Sequence, residues 1–323
     1  MARTRYAPDR GLTARMTVTM FLLGLVFVAF VAAIIGIMVA THQSAAFIVL
    51  IALIFGGGSA IASLFYSDKI ALSAAGAQLV TPEQEPRLHA IVDRLCALAD
   101  MDKPRLAIAP TRMPNAFATG RNSKNSVLCV TDGLMNHSGL DDEELEGVLA
   151  HELSHVAHKD VQVMTVASLL AIVAALLVRF AFYSEIFGGG RRGGNNNQGG
   201  IPVVLIIMAV SVIVYAISFL LIRVLSRYRE LAADRSGALL TGQPSKLASA
   251  LTKVSKGMSL IPSEDLRAAE PLNAFYFAPA MKLTGGGGPS LSVLFSTHPS
   301  LEKRLEQLEK IQRQLGQATA SNE

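Results

Sequence analysis

The chain has 323 residues and a net charge of +4, and it is 51% hydrophobic against 17% charged, with a mean hydropathy of +0.40. Soluble domains carry about 25% charged residues, so the composition excludes an ordinary soluble protein, and so small a positive charge calls for no nucleic-acid partner. Two cysteines, Cys96 and Cys129, lack C-x-x-C spacing and read as reduced, buried thiols rather than a zinc cluster.

Arg3, Arg5, Arg10 and Arg15 precede an uncharged run over 16–40, and a second uncharged run covers 44–66. Each is long enough to cross a hydrocarbon core, which takes about 20 apolar residues. The first exceeds the core of about 7–15 residues in a signal peptide and reads as a retained anchor. The arginines place residues 1–15 in the cytoplasm, so 16–66 forms a first transmembrane hairpin and the chain returns to the cytoplasm at Ser67. Within 67–160, Leu88, Ile91, Val92, Leu95 and Leu98 recur at helical spacing and predict a helix over 85–99. Short β-like runs follow at 105–109, 115–119 and 126–130, separated by Pro110, Pro114, Gly120 and Asn122, which predicts a small sheet. Asp141 then caps a helix whose first turn carries Glu143 and Glu144.

Two further uncharged runs, 161–178 and 201–222, make a second hairpin over 161–222, joined by a Gly/Asn-rich loop that carries Arg191 and Arg192. The short third run and Arg179 leave room for a second reading, a buried hairpin lying on the membrane surface. Residues 223–323 are again cytoplasmic: a helix continues through 227–235, another covers about 244–258, a Pro/Gly-rich stretch fills 262–290, and a charged amphipathic helix spans 300–315. The expected fold is therefore a mainly α membrane protein with four transmembrane helices and a cytoplasmic α+β domain with a small sheet.

The chemistry sits in A-H-E-L-S-H-V-A-H-K-D, residues 150–160. His151 and His155 are four apart and share one helix face, a spacing that lets two imidazoles bind one zinc ion. Glu152 lies beside them as general base for hydrolysis. A catalytic zinc needs a third protein ligand and an open position. His137, His158, Glu185, Glu230 and His298 are the candidates. The topology places Glu185 across the membrane, and His158, one turn past His155, reads as a supporting or surface residue. Glu230 is preferred because it lies on the cytoplasmic helix leaving the fourth span. Asp234, one turn on, would accept an N–H from a ligand histidine. Read otherwise, Glu230 is an ordinary ion-pair partner of Arg227 or Arg229. On this topology the metal lies in water at the membrane surface, with the second hairpin inserted between its two ligand helices.

These residues resemble the HtpX family of integral-membrane zinc metalloproteases, relatives of the CAAX prenyl endoproteases. The resemblance runs nearly the length of the chain: the first hairpin, P-N-A-F-A-T-G at 114–120, H-E-L-S-H at 151–155, the second hairpin, R-E-L-A-A-D at 229–234 and T-H-P-S at 297–300. It implies a gluzincin-type domain holding one zinc ion through His151, His155 and Glu230. It also implies cleavage of unfolded or damaged membrane proteins at the cytoplasmic face of the plasma (inner) membrane, as part of a stress response. The loops 188–200 and 284–289 are where such chains vary.

His298 is a candidate donor to the oxyanion, supported by its T-H-P context and the resemblance; read structurally, it is a histidine near the cap of the last helix. Asn115, Ala116 and Phe117 belong to a strand that could pair with an extended substrate, or that is plain core. An intramembrane protease is disfavoured because D-D-E-E-L-E-G and H-K-D flank the motif and are hard to bury in lipid. A zinc-binding membrane scaffold, or a protease held latent, is the alternative. Intact Glu152 weighs against a purely structural site.

Overall fold

The computed structural model describes residues 10–40, 58–120, 123–188, 203–259 and 298–320. The chain divides into two units. One comprises Met1–Arg15, Leu64–Gln162 and Ser226–Glu323, the other Met16–Ser63 and Val163–Leu225.

The second unit is helical. It draws on α1 (Arg10–Ala40), the start of α2 (Gly58–Ala75), most of α6 (Asp160–Gly188) and the first part of α7 (Val203–Thr241). Among the described residues, Arg10–Ile37, Asp160–Arg179 and Leu205–Thr241 are long and apolar enough to cross a membrane. Phe30, Ile34, Leu170, Ala174, Leu177, Ile207 and Val214 pack between three helices. The opposite faces carry exposed apolar residues such as Phe21 and Ile213, as expected of helices solvated by lipid. Of the second uncharged run, residues 44–57 lie outside the described residues. Its end opens α2, which continues through Asp68 and Lys69 to Ala75 because nothing in that stretch breaks a helix. The third run forms a helix that extends to Gly188, ten residues beyond its expected end at 178. The loops at 189–200 and 262–290 lie outside the described residues.

The first unit is built on a mixed four-stranded sheet, order β1-β2-β4-β3, from β1 (Gln78–Leu79), β2 (Arg105–Ala109), β3 (Ala116–Gly120) and β4 (Ser126–Thr131). β2 and β4 run parallel, and β1 and β3 are antiparallel at the edges. Alternation sorts the side chains between two faces. Ala107, Ala109, Phe117, Val127 and Cys129 meet Ala71 and Leu72 of α2 on one face. Leu106, Ala116, Leu128 and Val130 meet the larger core on the other. There α3 (Pro86–Ala99) contributes Leu88, Val92 and Leu95, and α5 (Asp142–Ala157) contributes Leu145, Leu149 and Leu153. α8 (Pro244–Ser259) adds Leu247 and Leu251, and α9 (Leu301–Ala320) adds Leu308 and Ile311. The short α4 (Asp132–Asn136) follows β4 directly, with Thr131 as its cap. The sheet thus backs the helix that carries the H-E-x-x-H motif.

Candidate metal centre

The start of α5 is set by a capping box. Asp141 accepts from the backbone N–H of Glu144 at 2.8 Å, and Glu144 accepts from that of Asp141 at 2.8 Å. Lys253 and Ser249 of α8 also donate to Glu144, at 2.7 and 2.6 Å, which ties the helix start to its neighbour. α5 ends at His158. Lys159 then takes the left-handed conformation, φ 57, and α6 begins at Asp160.

His151 and His155 project from α5 one turn apart, and Glu230 projects from α7 toward them. His151 Nδ1 donates to Asp234 Oδ1 at 2.9 Å. Arg304 of α9, fully buried, holds both oxygens of Asp234, with Nε on Oδ2 at 2.8 Å and Nη2 on Oδ1 at 2.7 Å. His155 Nδ1 donates to Asp160 Oδ2 at 2.6 Å, and Arg229 Nη2 approaches the same oxygen at 2.6 Å.

These partners fix the tautomers. With each Nδ1–H donating to a carboxylate, each neutral ring turns the lone pair of Nε2 to the other side. The two Nε2 atoms lie 3.3 Å apart, so two acceptors face one another, which repels unless a proton or a cation lies between them. Glu230 faces both rings through its two oxygens, with Oε2 3.7 Å from His151 Nε2 and Oε1 3.5 Å from His155 Nε2. Ligands about 2.1 Å from a tetrahedral ion lie about 3.4 Å from one another. One ligand atom from each of the three residues lies within 4.8 Å of the others, so the three side chains are close enough to share one metal ion.

The electrostatics agree. Burial alone would lower the pKa of His151, but its hydrogen bond to Asp234 and the nearby Glu230 carboxylate outweigh it and push the value up to about 9. Burial raises Glu152 above the ordinary carboxylate range despite the two histidines beside it. A carboxyl poised upward in this way suits a general base that must later act as an acid.

The remaining predicted residues fall at varied distances from the centre. His298 is buried, its Nδ1 3.0 Å from Glu230 Oε2. His158 lies outside the group of His151, His155 and Glu230, with Nε2 3.4 Å from Ser236 Oγ. His137 is more than half exposed and pairs with Asp132 at 3.1 Å. Glu230 has the histidines and Arg304 around it, whereas Arg229 turns to Asp160. Asn115 precedes β3; its N–H donates to Thr131 Oγ1 at 2.8 Å, and its carbonyl accepts from Thr131 N at 2.9 Å. Ala116 and Phe117 are buried in β3, which has β4 on one side and no strand on the other among the described residues.

Residues 82–312 match the family model for peptidase family M48. The chain is 55% identical to Protease HtpX homolog 1 of Streptomyces coelicolor over 98% of each chain. It is 47% identical to Protease HtpX homolog 2 of Methanosarcina mazei, over 97% of this chain and 99% of the relative. The chain belongs to the HtpX proteases of peptidase family M48. It is thus a membrane metalloprotease with a His–His–Glu site able to hold a metal. A more distant likeness is to the crystal structure of S. mikatae Ste24p, at 17% identity and a TM-score of 0.49 over 93% of this chain and 66% of that one.

Sequence reasoning missed Asp160, Arg229 and Arg304. Arg304 left a trace: it falls among Leu301, Leu308 and Ile311, on the apolar stripe of an otherwise charged helix. An arginine in a buried stripe demands a buried partner.

Proposed function

We propose that this chain is a zinc metalloendopeptidase that hydrolyses peptide bonds of unfolded or damaged membrane proteins at the cytoplasmic face of the plasma membrane. The convergence of His151, His155 and Glu230 at metal-ligand spacing, beside a buried Glu152, carries this reading. The topology proposed with it has four spans, the second over 44–66, and keeps 1–15, 67–160 and 223–323 cytoplasmic. In that arrangement the gluzincin-like domain works in water next to the bilayer. One zinc ion would be held by the three side chains and would supply Lewis acidity toward the attacking water and the scissile carbonyl. Glu152 takes the proton from the water and passes it to the leaving amine. Asp234 keeps His151 in the tautomer that presents Nε2. His298, held against Glu230 through Nδ1, would donate from Nε2 to the developing oxyanion. The unpaired side of β3, beginning at Asn115–Phe117, is the edge where an extended substrate would add as a strand.

The test is zinc-dependent cleavage of an unfolded model protein by the purified chain beside Glu152→Gln. The wild type should cleave, and the variant should retain zinc and lose about 10²–10⁴-fold in rate. Bound zinc with no cleavage by either protein would favour a scaffold or a latent enzyme instead.

A further inference from the structure

Both metal histidines are backed in the same way. Asp234 and Arg304 stand behind His151, and Asp160 and Arg229 stand behind His155. We propose that Asp160 and Arg229 are positioning residues that lock the ring of His155 for metal binding, a proposal that rests on the reading of His151, His155 and Glu230 as the zinc ligands.

Asp160 stands five residues after His155. In a continuous helix five residues turn about 500°, which would leave the two side chains about 140° apart. Their 2.6 Å contact exists because α5 stops and Lys159 adopts a positive φ, which breaks the helical register and brings Asp160 within reach of His155. A non-glycine residue in that conformation persists where its surroundings over-determine it. Arg229 adds a second constraint from a distant segment. It precedes Glu230 in α7, so adjacent residues serve two ligand positions: Glu230 faces the metal, and Arg229 holds the carboxylate behind the second histidine. One oxygen, Asp160 Oδ2, receives both the ring N–H and the guanidinium. Asp160 is 2% exposed.

A stabilising ion pair would not explain this placement. Replacing both members of a buried pair with apolar groups is often neutral for stability, because desolvation offsets the attraction. An outer carboxylate on a metal histidine, in contrast, commonly governs metal affinity by about 10–100-fold. The two roles therefore separate when both charges are removed together.

The experiment compares the full-length chain in detergent with Asp160→Ala and with Asp160→Ala/Arg229→Met. Zinc affinity is read by chelator competition, the visible spectrum by cobalt substitution, and the metal-free melting temperature by heating. The single variant strands a buried arginine and should melt lower; the double variant should regain most of that loss. Both should bind zinc about 10–100-fold more weakly and show an altered cobalt band. A double variant with wild-type zinc affinity and cobalt spectrum would overturn the proposal and leave Asp160 and Arg229 as a structural pair. A double variant that still failed to fold would do the same, since the pair would then be required for the fold itself. Absence of zinc binding by the wild type would overturn the metal reading as a whole, a failure distinct from the other two.

Discussion

A histidine that bridges two carboxylates before it meets a metal makes metal binding depend on protons. The pKa of His151 stands at about 9 in the metal-free fold, above its ordinary 6.5. Its protonated ring therefore stabilises that fold fully below about pH 6.5, and the contribution is lost as pH rises through about 9. Zinc needs the same proton removed. Apparent zinc affinity should rise about tenfold per pH unit between pH 7 and 9, then level off; a flat competition titration across that window would contradict the assignment. The cysteines behave oppositely as nucleophiles. Burial pushes Cys129 up to about 12 and Cys96 up to about 11, so neither forms thiolate near neutrality. Iodoacetamide at pH 8 should leave both unmodified in the folded chain and label both in denaturant. His151, Glu152 and His155 were legible in the sequence because their relation is local, fixed by one helical turn. Asp160 was not: five residues is the wrong helical spacing for contact, and Lys159 does not announce a left-handed turn as a glycine would.

The approach of two helices decides whether Glu230 can reach the histidines at all. Gly237 of α7 lies against the backbone of α5, where a Cβ would sit 2.8 Å from His151 N and 3.1 Å from Ala150 C. Neither contact is a flexible side-chain end, so the added methyl must push the ligand helices apart. Alanine gains about 1 kcal/mol in helix propensity over glycine, but overpacking of this kind costs about 1–3 kcal/mol. Gly237→Ala should lower both the melting temperature and the zinc affinity, whereas an ordinary helix-interior glycine would raise the first and leave the second. Elements with a strong period or a strong cap are legible in the sequence. The strands at 105–109 and 126–130 and the helices at 85–99 and 244–258 each recur within a residue or so. β1 escaped notice because two exposed residues make no alternation, and its pairing with β2 at Gln78–Ile108 is visible only in three dimensions. α7 runs on from the fourth apolar run through 227–235 as the sequence indicates, and it ends at Thr241, six residues further, because no helix breaker intervenes.

At the scale of the whole molecule, the metal side chains and their supports come from 151–160, 229–234 and 298–304, all of which fall in one of the two units although the apolar segment 163–225 interrupts them in sequence. This assembly could not be read from spacing alone, since Arg304 lies 70 residues from Asp234 and 153 from His151. It does dictate how metal should act on the chain. A ligand stabilises only the parts whose opening would release it. Zinc at about 100 times its Kd adds about 2.7 kcal/mol, and that increment belongs to the unit holding the ligands. Hydrogen exchange with and without zinc should therefore show slower exchange in 145–157, 226–241 and 301–312. Residues 163–188 and 203–225, whose amides are protected by helices packed on one another through Leu170, Ala174 and Val214, should exchange alike in both conditions. Equal protection gained along the whole of α6 and α7 would mean that the two units open together, and that the metal site is energetically part of the membrane bundle rather than of the sheet-backed domain.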